Sequence, residues 1–236
     1  MTTHDAEHAY DATEFADNPE SRCSVVLILD VSDSMGFNGG VRIDTVNEAL
    51  AEFRDAIQED TLTSLRADVA IIAFNHETWL AQDFTNGATF EPPVLTASGG
   101  TNFSKAVNLA LDTIEARKQS YREGGVAYYR SLAYFLTDGH PEHDNNADLE
   151  RAAARLADAE DGKHLAFFSF LVRDPARRTD MSQLAKLAPP NRPPVELISM
   201  DQLTSSIVWL SKSVTALSHS QPGEGVRLPS PDYLDV

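Results

Sequence analysis

Three oxygen-bearing side chains stand at alternate positions directly after an apolar run of strand length. The run covers residues 25–29, and Asp30, Ser32 and Ser34 follow it. A short continuous apolar run is typical of a buried strand, and ligands of open α/β sheets bind beyond the carboxyl ends of the strands. The three side chains supply only oxygen atoms, so the pattern favours a hard cation such as Mg²⁺ over zinc.

Two further segments carry polar side chains that could join this site. Residues 98–102 read Ser-Gly-Gly-Thr-Asn and precede a helical pattern, which places Thr101 at the start of a helix. Residues 136–139 read Leu-Thr-Asp-Gly and end a second apolar run, which places Asp138 beyond the end of another strand. The carboxyl ends of parallel strands lie at one edge of a sheet, so we expect these segments to converge.

Together the three segments resemble the metal-ion-dependent adhesion site (MIDAS) of the von Willebrand factor A (vWA) domain. That site reads Asp-x-Ser-x-Ser, then a Thr, then an Asp, and both order and spacing match. The resemblance is most marked to the bacterial tellurium-resistance Y-type (TerY-like) A domains. They share the Asp-x-Ser-x-Ser-Met segment, a Gly-Gly-Thr segment and a Thr-Asp-Gly-x-Pro turn like residues 137–141. The resemblance to the vWA domain covers roughly residues 24–218.

The resemblance implies a role for each residue of the site. Ser32 and Ser34 would bind Mg²⁺ or Mn²⁺ directly through their hydroxyls, and Thr101 would bind directly only when a ligand is present. Asp30 and Asp138 would act mainly through water and orient the hydroxyls. A Glu or Asp of a partner protein would complete the coordination, which leaves the ion electrophilic until the partner binds.

Glycines support this interpretation, although simpler interpretations exist. Gly99 and Gly100 would let their loop approach the ion, and Gly139 would allow the tight turn. The alternatives are turn or capping chemistry for the two serines, a plain helix cap for Thr101 and a turn acid for Asp138.

Several nearby residues invite other interpretations. His140, His143 and Asp144 could suggest zinc, but we expect them to lie on the rim of the ligand-binding face because no cysteine lies near them. Asp33 is expected to be a surface charge that points away from the neighbouring serines. We expect the two tryptophans to be packing residues; they are Trp79 and Trp209.

Strands alternate with helices along the chain, which predicts an α/β fold. We expect a doubly wound, mostly parallel sheet with helices on both faces, a Rossmann-like vWA fold, and one short antiparallel edge strand. The predicted strands are 24–29, 67–74, 78–82 (the edge strand), 131–136, 165–172 and 195–198. Four helices are predicted over 42–57, 148–159, 179–188 and 201–217. A fifth is predicted to begin at about residue 102. A loop is expected over 83–100.

Composition limits the domain organisation and the class of partner. A flexible acidic tail is expected over 1–20, a vWA domain over 21–218 and a flexible tail over 219–236. The formal net charge of −17 argues against nucleic acid and against an anionic membrane surface as partners. Cys23 is the single cysteine, residues 1–20 lack the apolar core of a signal peptide, and no apolar stretch approaches a membrane span. These features favour a cytoplasmic protein.

The function expected from these observations is that of a metal-dependent protein-binding module rather than an enzyme. The resemblance implies partners from a phosphorylation-linked bacterial system, in which such domains are associated with a protein kinase and a metal-dependent protein phosphatase. One alternative is a Mg²⁺-dependent phosphatase with Asp30 as nucleophile, although Ser32 stands where a second Asp would be the general acid. The other is a structural subunit that uses a different surface.

Overall fold

One six-stranded sheet forms the centre of the computed structural model, which describes residues 15–139, 141–173 and 180–230. The strand order is β3-β2-β1-β4-β5-β6, and every neighbouring pair is parallel except β2 and β3. The strands are β1 (Cys23–Asp30), β2 (Ala67–Phe74), β3 (Thr78–Asn86), β4 (Ser131–Thr137), β5 (Leu165–Val172) and β6 (Val195–Leu197). The predicted doubly wound sheet with one antiparallel edge strand is therefore confirmed.

Helices cover both faces of this sheet. They are α1 (Val41–Glu59), α2 (Thr61–Arg66), α3 (Phe103–Glu123), α4 (Asn146–Asp161), α5 (Ser182–Leu187) and α6 (Met200–Ser218). Alternate residues of β1 divide between two cores: Leu27 packs in the core that includes α1 and α6, and Ile28 in the core that includes α3 and α4. Among the described helices, none is both long and apolar enough to cross a membrane.

The structure differs from the predicted elements around β2 and β3. The short helix α2 is absent from the prediction, and it forms because Asp60 caps it by accepting a hydrogen bond from the Thr63 amide at 2.7 Å. The edge strand β3 continues to Asn86 instead of ending at 82, so the predicted loop begins later. Alternation across the edge strand leaves Trp79 41% exposed, and the prediction that Trp79 is a packing residue was wrong.

Trp209 is buried, as expected. It packs edge-on against Phe168 of β5 at a centroid distance of 4.9 Å. Its indole N–H donates to the carbonyl oxygen of Pro229 at 3.0 Å, so a part of the chain beyond α6 is held against that helix.

A buried charge network ties elements together at the amino end of β2. Asp68 is 1% exposed and accepts hydrogen bonds from the Arg117 guanidinium at 2.8 Å and the Tyr121 hydroxyl at 2.7 Å. The Arg22 guanidinium lies 3.7 Å from the same carboxylate. The Phe15 ring packs at a tilt against the Tyr121 ring, and both guanidinium groups lie over the Phe15 ring. One carboxylate is therefore the shared ion-pair partner of two arginines at this end of the sheet.

The single cysteine is at the start of β1. Cys23 is fully buried, and burial, with a smaller contribution from the charge of Asp68, raises the pKa of its thiol to about 12. A thiol with this pKa carries almost no thiolate at neutral pH, so it is chemically inert in the folded domain.

Candidate metal site

Asp30 ends β1 in the middle of the sheet and is fully buried. One carboxylate oxygen accepts the backbone N–H of Ser32 at 2.7 Å, and the other accepts the hydroxyl of Thr137 at 2.5 Å. Because Thr137 is the last residue of β4, the carboxylate joins the carboxyl ends of the two central strands. Asp30 thus fixes the loop that carries the two serines relative to the loop that carries Asp138.

The two serine hydroxyls and Asp138 form a contiguous set of oxygen atoms. Ser32 Oγ lies 3.1 Å from Ser34 Oγ, and Ser34 Oγ donates to a carboxylate oxygen of Asp138 at 2.5 Å. A Cβ added at Gly139 would lie 3.6 Å from Ser34 Oγ, so the turn after β4 passes directly beside that hydroxyl. Four of the five predicted site residues are therefore linked by hydrogen bonds or near contacts.

Backbone hydrogen bonds bring the Gly-Gly-Thr loop to the same end of the sheet. The Asp33 N–H donates to the Gly99 carbonyl at 2.8 Å, and the Ser98 N–H donates to the Val31 carbonyl at 2.7 Å. Thr101 is 4% exposed beside this junction. The cap of α3 is Asn102, whose side chain accepts from the Lys105 amide at 2.9 Å, so Thr101 is not the plain helix cap of the alternative interpretation.

Asp33 has a role that the sequence did not indicate. Its side chain is exposed, as expected, but it accepts a hydrogen bond from the Gly99 amide at 3.0 Å. With the reciprocal backbone bond, it clamps the Gly-Gly loop to the loop after β1. The alternation argument did not indicate this contact, because residues 33–36 form a turn of 3₁₀ helix instead of continuing the strand.

Of the residues expected on the rim of the site, His143 is exposed beside Gly100, whereas Asp144 has a structural role. Asp144 accepts hydrogen bonds from the backbone amides of Phe103 and Ser104, at 2.6 and 3.2 Å, and so caps α3 from the far side of the site. The backbone N–H of His143 donates to the Thr101 carbonyl at 3.0 Å. His140 lies outside the described residues. Within the described ranges, no group of three or more His, Cys, Asp and Glu side chains is placed to hold a metal.

Arg42 is the site residue that sequence reasoning missed. It is 4% exposed in the first turn of α1, donates to the Ser34 carbonyl at 3.0 Å, and lies 3.4 Å from Asp138. The guanidinium thus partly balances the negative charge that two buried carboxylates create. An arginine in the first turn of an amphipathic helix is usually solvated, so its position in the sequence gave no signal.

This donor set fits a hard divalent cation. It combines the hydroxyls of Ser32 and Ser34, which contact each other, with the carboxylates of Asp30 and Asp138. All four side chains are buried or partly buried at the carboxyl ends of β1 and β4. Such ligands match Mg²⁺ or Mn²⁺, and few charged ligands mean that a bound ion would keep most of its positive charge. Ser32, Ser34 and Thr101 would hold the ion, with Asp30 and Asp138 orienting the hydroxyls.

The pKa of Asp30 gives the site a pH dependence. Burial first, and then the charge of Asp138, raise this pKa from 3.8 to about 7, against the opposing hydrogen bonds from Ser32 and Thr137. A cation favours the ionised carboxylate, so its binding competes with a proton. The apparent affinity for Mn²⁺ should rise about tenfold per pH unit below 7 and level off above 8.

Titration calorimetry with Mn²⁺ at a series of pH values checks this expectation. Because the folded pKa is raised, the metal-free domain should also lose stability as pH rises through about 7, and metal should restore it. Asp30→Asn should bind more weakly and without this pH dependence. A wild-type affinity that is flat between pH 6 and 8 would contradict the assignment.

Gly99 provides a second test within the site loop. Its φ is +75°, and an added Cβ would lie 2.7 Å from Cε1 of His76 and closer still to Nδ1. Gly99→Ala should therefore displace the loop that carries Thr101 and lower Mn²⁺ affinity at least tenfold. Gly125→Ala is the matched control, because Gly125 has φ +65° but open space around it. Both variants should lose about 1 kcal/mol of stability from backbone strain, and Gly125→Ala should keep its metal affinity.

Comparison with known proteins decides the family. A family model described as von Willebrand factor type A domain matches residues 24–206, which is most of the chain. The chain belongs to the vWA domain family. The matched range begins within β1 and ends within α6, so the whole sheet and the site described above belong to the vWA domain.

Solved structures share this vWA fold at low sequence identity. A von Willebrand factor type A protein from Catenulispora acidiphila aligns with TM-score 0.64 and 19% identity, over 83% of this chain and 43% of its own. The pilus adhesin SpaC from Lactobacillus rhamnosus GG aligns with TM-score 0.65 and 14% identity, over 85% of this chain and 32% of its own. The chain spans less than half the length of each. No curated protein sequence matches it.

One structural neighbour of this vWA domain holds a metal. Proximal thread matrix protein 1 from the mussel byssus, with a zinc-occupied MIDAS motif, aligns with TM-score 0.56 and 11% identity. The alignment covers 83% of this chain and 48% of that protein. At this identity the likeness shows the fold, and the donor set of this chain has to be judged on its own side chains.

Proposed function

We propose that this vWA domain is a metal-dependent protein-binding module, in which Mg²⁺ or Mn²⁺ at the site accepts a Glu or Asp side chain from a partner protein. One observation carries the proposal: Ser34 Oγ lies between Ser32 Oγ and the Asp138 carboxylate. An ion held by neutral hydroxyls retains charge and an open coordination position. An acidic side chain supplies both the ligand atom and the balancing charge.

The surface around the site supports a protein partner. Among the described residues, five large hydrophobic side chains are exposed, and Phe37 and Val41 follow the serine motif directly at 41% and 49% exposure. Trp79 and Ile198 lie near the same edge, beside the ends of β2 and β6. Exposed apolar side chains around a polar centre are typical of protein interfaces.

The geometry disfavours the phosphatase alternative. A nucleophilic carboxylate needs one oxygen that can reach a phosphorus atom. Both oxygens of Asp30 are engaged in short hydrogen bonds, and the side chain is fully buried. Asp30 is better suited to hold the loops of the site in position than to attack a substrate.

The proposal has a finer part, which concerns the pathway. The Asp-x-Ser-x-Ser-Met segment and the Thr-Asp-Gly-x-Pro turn support a role in a TerY-like, tellurium-resistance-type bacterial system. The partners would then be a protein kinase and a metal-dependent protein phosphatase, in the cytoplasm. A single, buried cysteine is compatible with that reducing compartment.

Affinity capture from extract of the source cell tests both parts. The immobilised full chain is presented with Mg²⁺, with Mn²⁺ and with chelator, and retained proteins are identified by mass spectrometry. A partner retained with metal, lost with chelator and lost with Ser34→Ala supports the module. Replacing acidic residues of that partner by their amides should then find one whose loss abolishes binding. A partner that is retained equally with chelator and by Ser34→Ala would refute the metal-dependent binding. A metal-dependent partner unrelated to phosphorylation would refute the proposed pathway.

A further inference from the structure

A second candidate site lies at the amino-terminal edge of the sheet, opposite the metal site. A cleft of about 600 Å³ opens there between the starts of β4 and β5, the end of α3 and the end of α6. Its size is in the range of pockets that hold small organic molecules. Its polar lining includes four cationic side chains, Lys118, Arg130, Lys163 and Arg192, and the imidazole of His164.

Lys118 is the most unusual group of this cleft. Its side chain is 3% exposed, and its ammonium group donates to the carbonyl oxygen of His164 and lies 5.7 Å from the centre of the Tyr128 ring. No carboxylate of the described residues lies within 4.0 Å of this ammonium group. Burial lowers its pKa to about 8, so it is still mostly charged at neutral pH. The charge of Glu115 favours the ammonium form from beyond that distance, whereas the charges of Arg122 and Arg130 oppose it. A buried charge without a directly paired carboxylate is costly, and a bound anion would offset that cost.

Two arginines of the cleft are held in place by one buried carboxylate. Glu160 is 2% exposed and accepts from Arg130 Nη2 at 2.8 Å and from Arg192 Nε at 2.7 Å. Arg192 also stacks on the ring of Phe168 at 4.7 Å. Its two terminal amino groups make no hydrogen bond to any described residue, and the side chain is 29% exposed. A fixed guanidinium with free donors at the cleft is suited to bidentate binding of an oxyanion.

The charge and shape of the cleft together define a ligand class. Four cationic side chains line the cleft, with Lys163 as the fourth, and the carboxylates that act on them are Glu160, Glu224 and Glu115. Cations therefore outnumber carboxylates at this cleft, in a chain whose net charge is −17. Part of the lining is apolar: Leu132, Ala166, Leu217, Val226 and Leu228. A dianionic head on an apolar or aromatic body matches both features.

We propose that this cleft binds a phosphate monoester with an apolar or aromatic body. The phosphate contacts the Lys118 ammonium and the Arg192 guanidinium, and the body lies on the apolar part of the lining. This inference is independent of the proposed metal-dependent function, because no residue of the cleft belongs to the metal site.

Calorimetric titration of the full chain tests whether the cleft binds phosphate monoesters. The probes are phenyl phosphate, naphthyl phosphate and adenosine 5′-monophosphate, with benzoate, adenosine and inorganic phosphate as comparison compounds. Chelator is present throughout, so phosphate cannot bind through a metal ion at the other site. At least one monoester should bind with Kd below about 1 mM, and each comparison compound should bind at least tenfold more weakly.

Variants separate the cleft from the rest of the surface. Arg192→Gln removes the free donors at a half-buried position and should weaken monoester binding at least tenfold; Lys118→Met keeps the packed stem and should do the same. Arg155→Gln removes a guanidinium outside the cleft and should change affinity less than twofold. Absence of binding by all three monoesters up to about 10 mM would overturn the proposal. So would equal affinity for benzoate and phenyl phosphate, or equal losses in Arg192→Gln and Arg155→Gln.

Discussion

Ser34→Ala is expected to lower the affinity for Mn²⁺ by about 100-fold or more and to abolish metal-dependent partner binding, while the domain stays folded. Loss of a group that only supports a metal ligand commonly costs 10–100-fold in affinity. Ser34 stands at the centre of the oxygen set, since its Oγ touches Ser32 Oγ and donates to Asp138. Removing it deletes one ligand and leaves the other hydroxyl and the carboxylate unoriented.

The measurement is Mn²⁺ titration calorimetry beside urea unfolding of the metal-free protein. Ser120→Ala is the matched control, because Ser120 makes a similar side-chain hydrogen bond on α3, to the Ala116 carbonyl. We expect Ser120→Ala to keep full metal affinity and both variants to unfold within about 1 kcal/mol of wild type. Undiminished Mn²⁺ binding by Ser34→Ala would remove the basis of the proposed function.

Asp68→Asn should cause the largest loss of stability of any single change considered for this domain, about 3–5 kcal/mol. The carboxylate is the shared acceptor of Arg117 and Tyr121 and lies 3.7 Å from Arg22. An amide of the same shape leaves two buried guanidinium groups without their common counter-ion. The loss follows from the cost of unpaired buried charge more than from the worth of the pairs themselves.

Urea unfolding measures this loss. Asp112→Asn is the control, since Asp112 pairs with Arg155 on the surface, where the two side chains are 65% and 48% exposed. An exposed pair contributes little, so the control should change the unfolding free energy by less than about 1 kcal/mol. Asp68 lies at the end of β2 remote from the metal site, and folded Asp68→Asn should keep its Mn²⁺ affinity. A loss below that of the control would mean that the network is not a stabilising unit.

The sheet and the oxygen ligands could be predicted because each follows from a local pattern. The apolar runs of β1 and β4 have strand length, and the polar residues directly beyond their ends converge wherever parallel strands align. That is why Asp30, Ser34 and Asp138 are found together. The hydroxyl–carboxylate contact itself needs only the register of two adjacent strands.

The missed residues depend on contacts between segments far apart in the chain. Arg42 reaches Asp138, and Asp144 caps α3 from a loop about 40 residues further on. No periodicity or turn signal in the sequence specifies such a pairing. The exposure of Trp79 was missed for a related reason: the composition of a strand does not say which face of an edge strand lacks a cover. The type and order of the site residues can be predicted from the sequence, whereas the side chains that contact them from distant segments are determined by the topology.

The rate at which the Cys23 thiol is chemically labelled reports how often the central strands of the sheet separate. The thiol is at the start of a central strand, paired with Ala67 on β2 and fully covered. A maleimide or disulfide reagent can reach it only when the strands around it separate, so the labelling rate counts opening events of the sheet. With one sulfur in the chain available for this reaction, the kinetics need no engineered probe and no site assignment. Metal, phosphate esters and each variant above can thus be compared on one scale, the frequency at which the centre of the sheet opens.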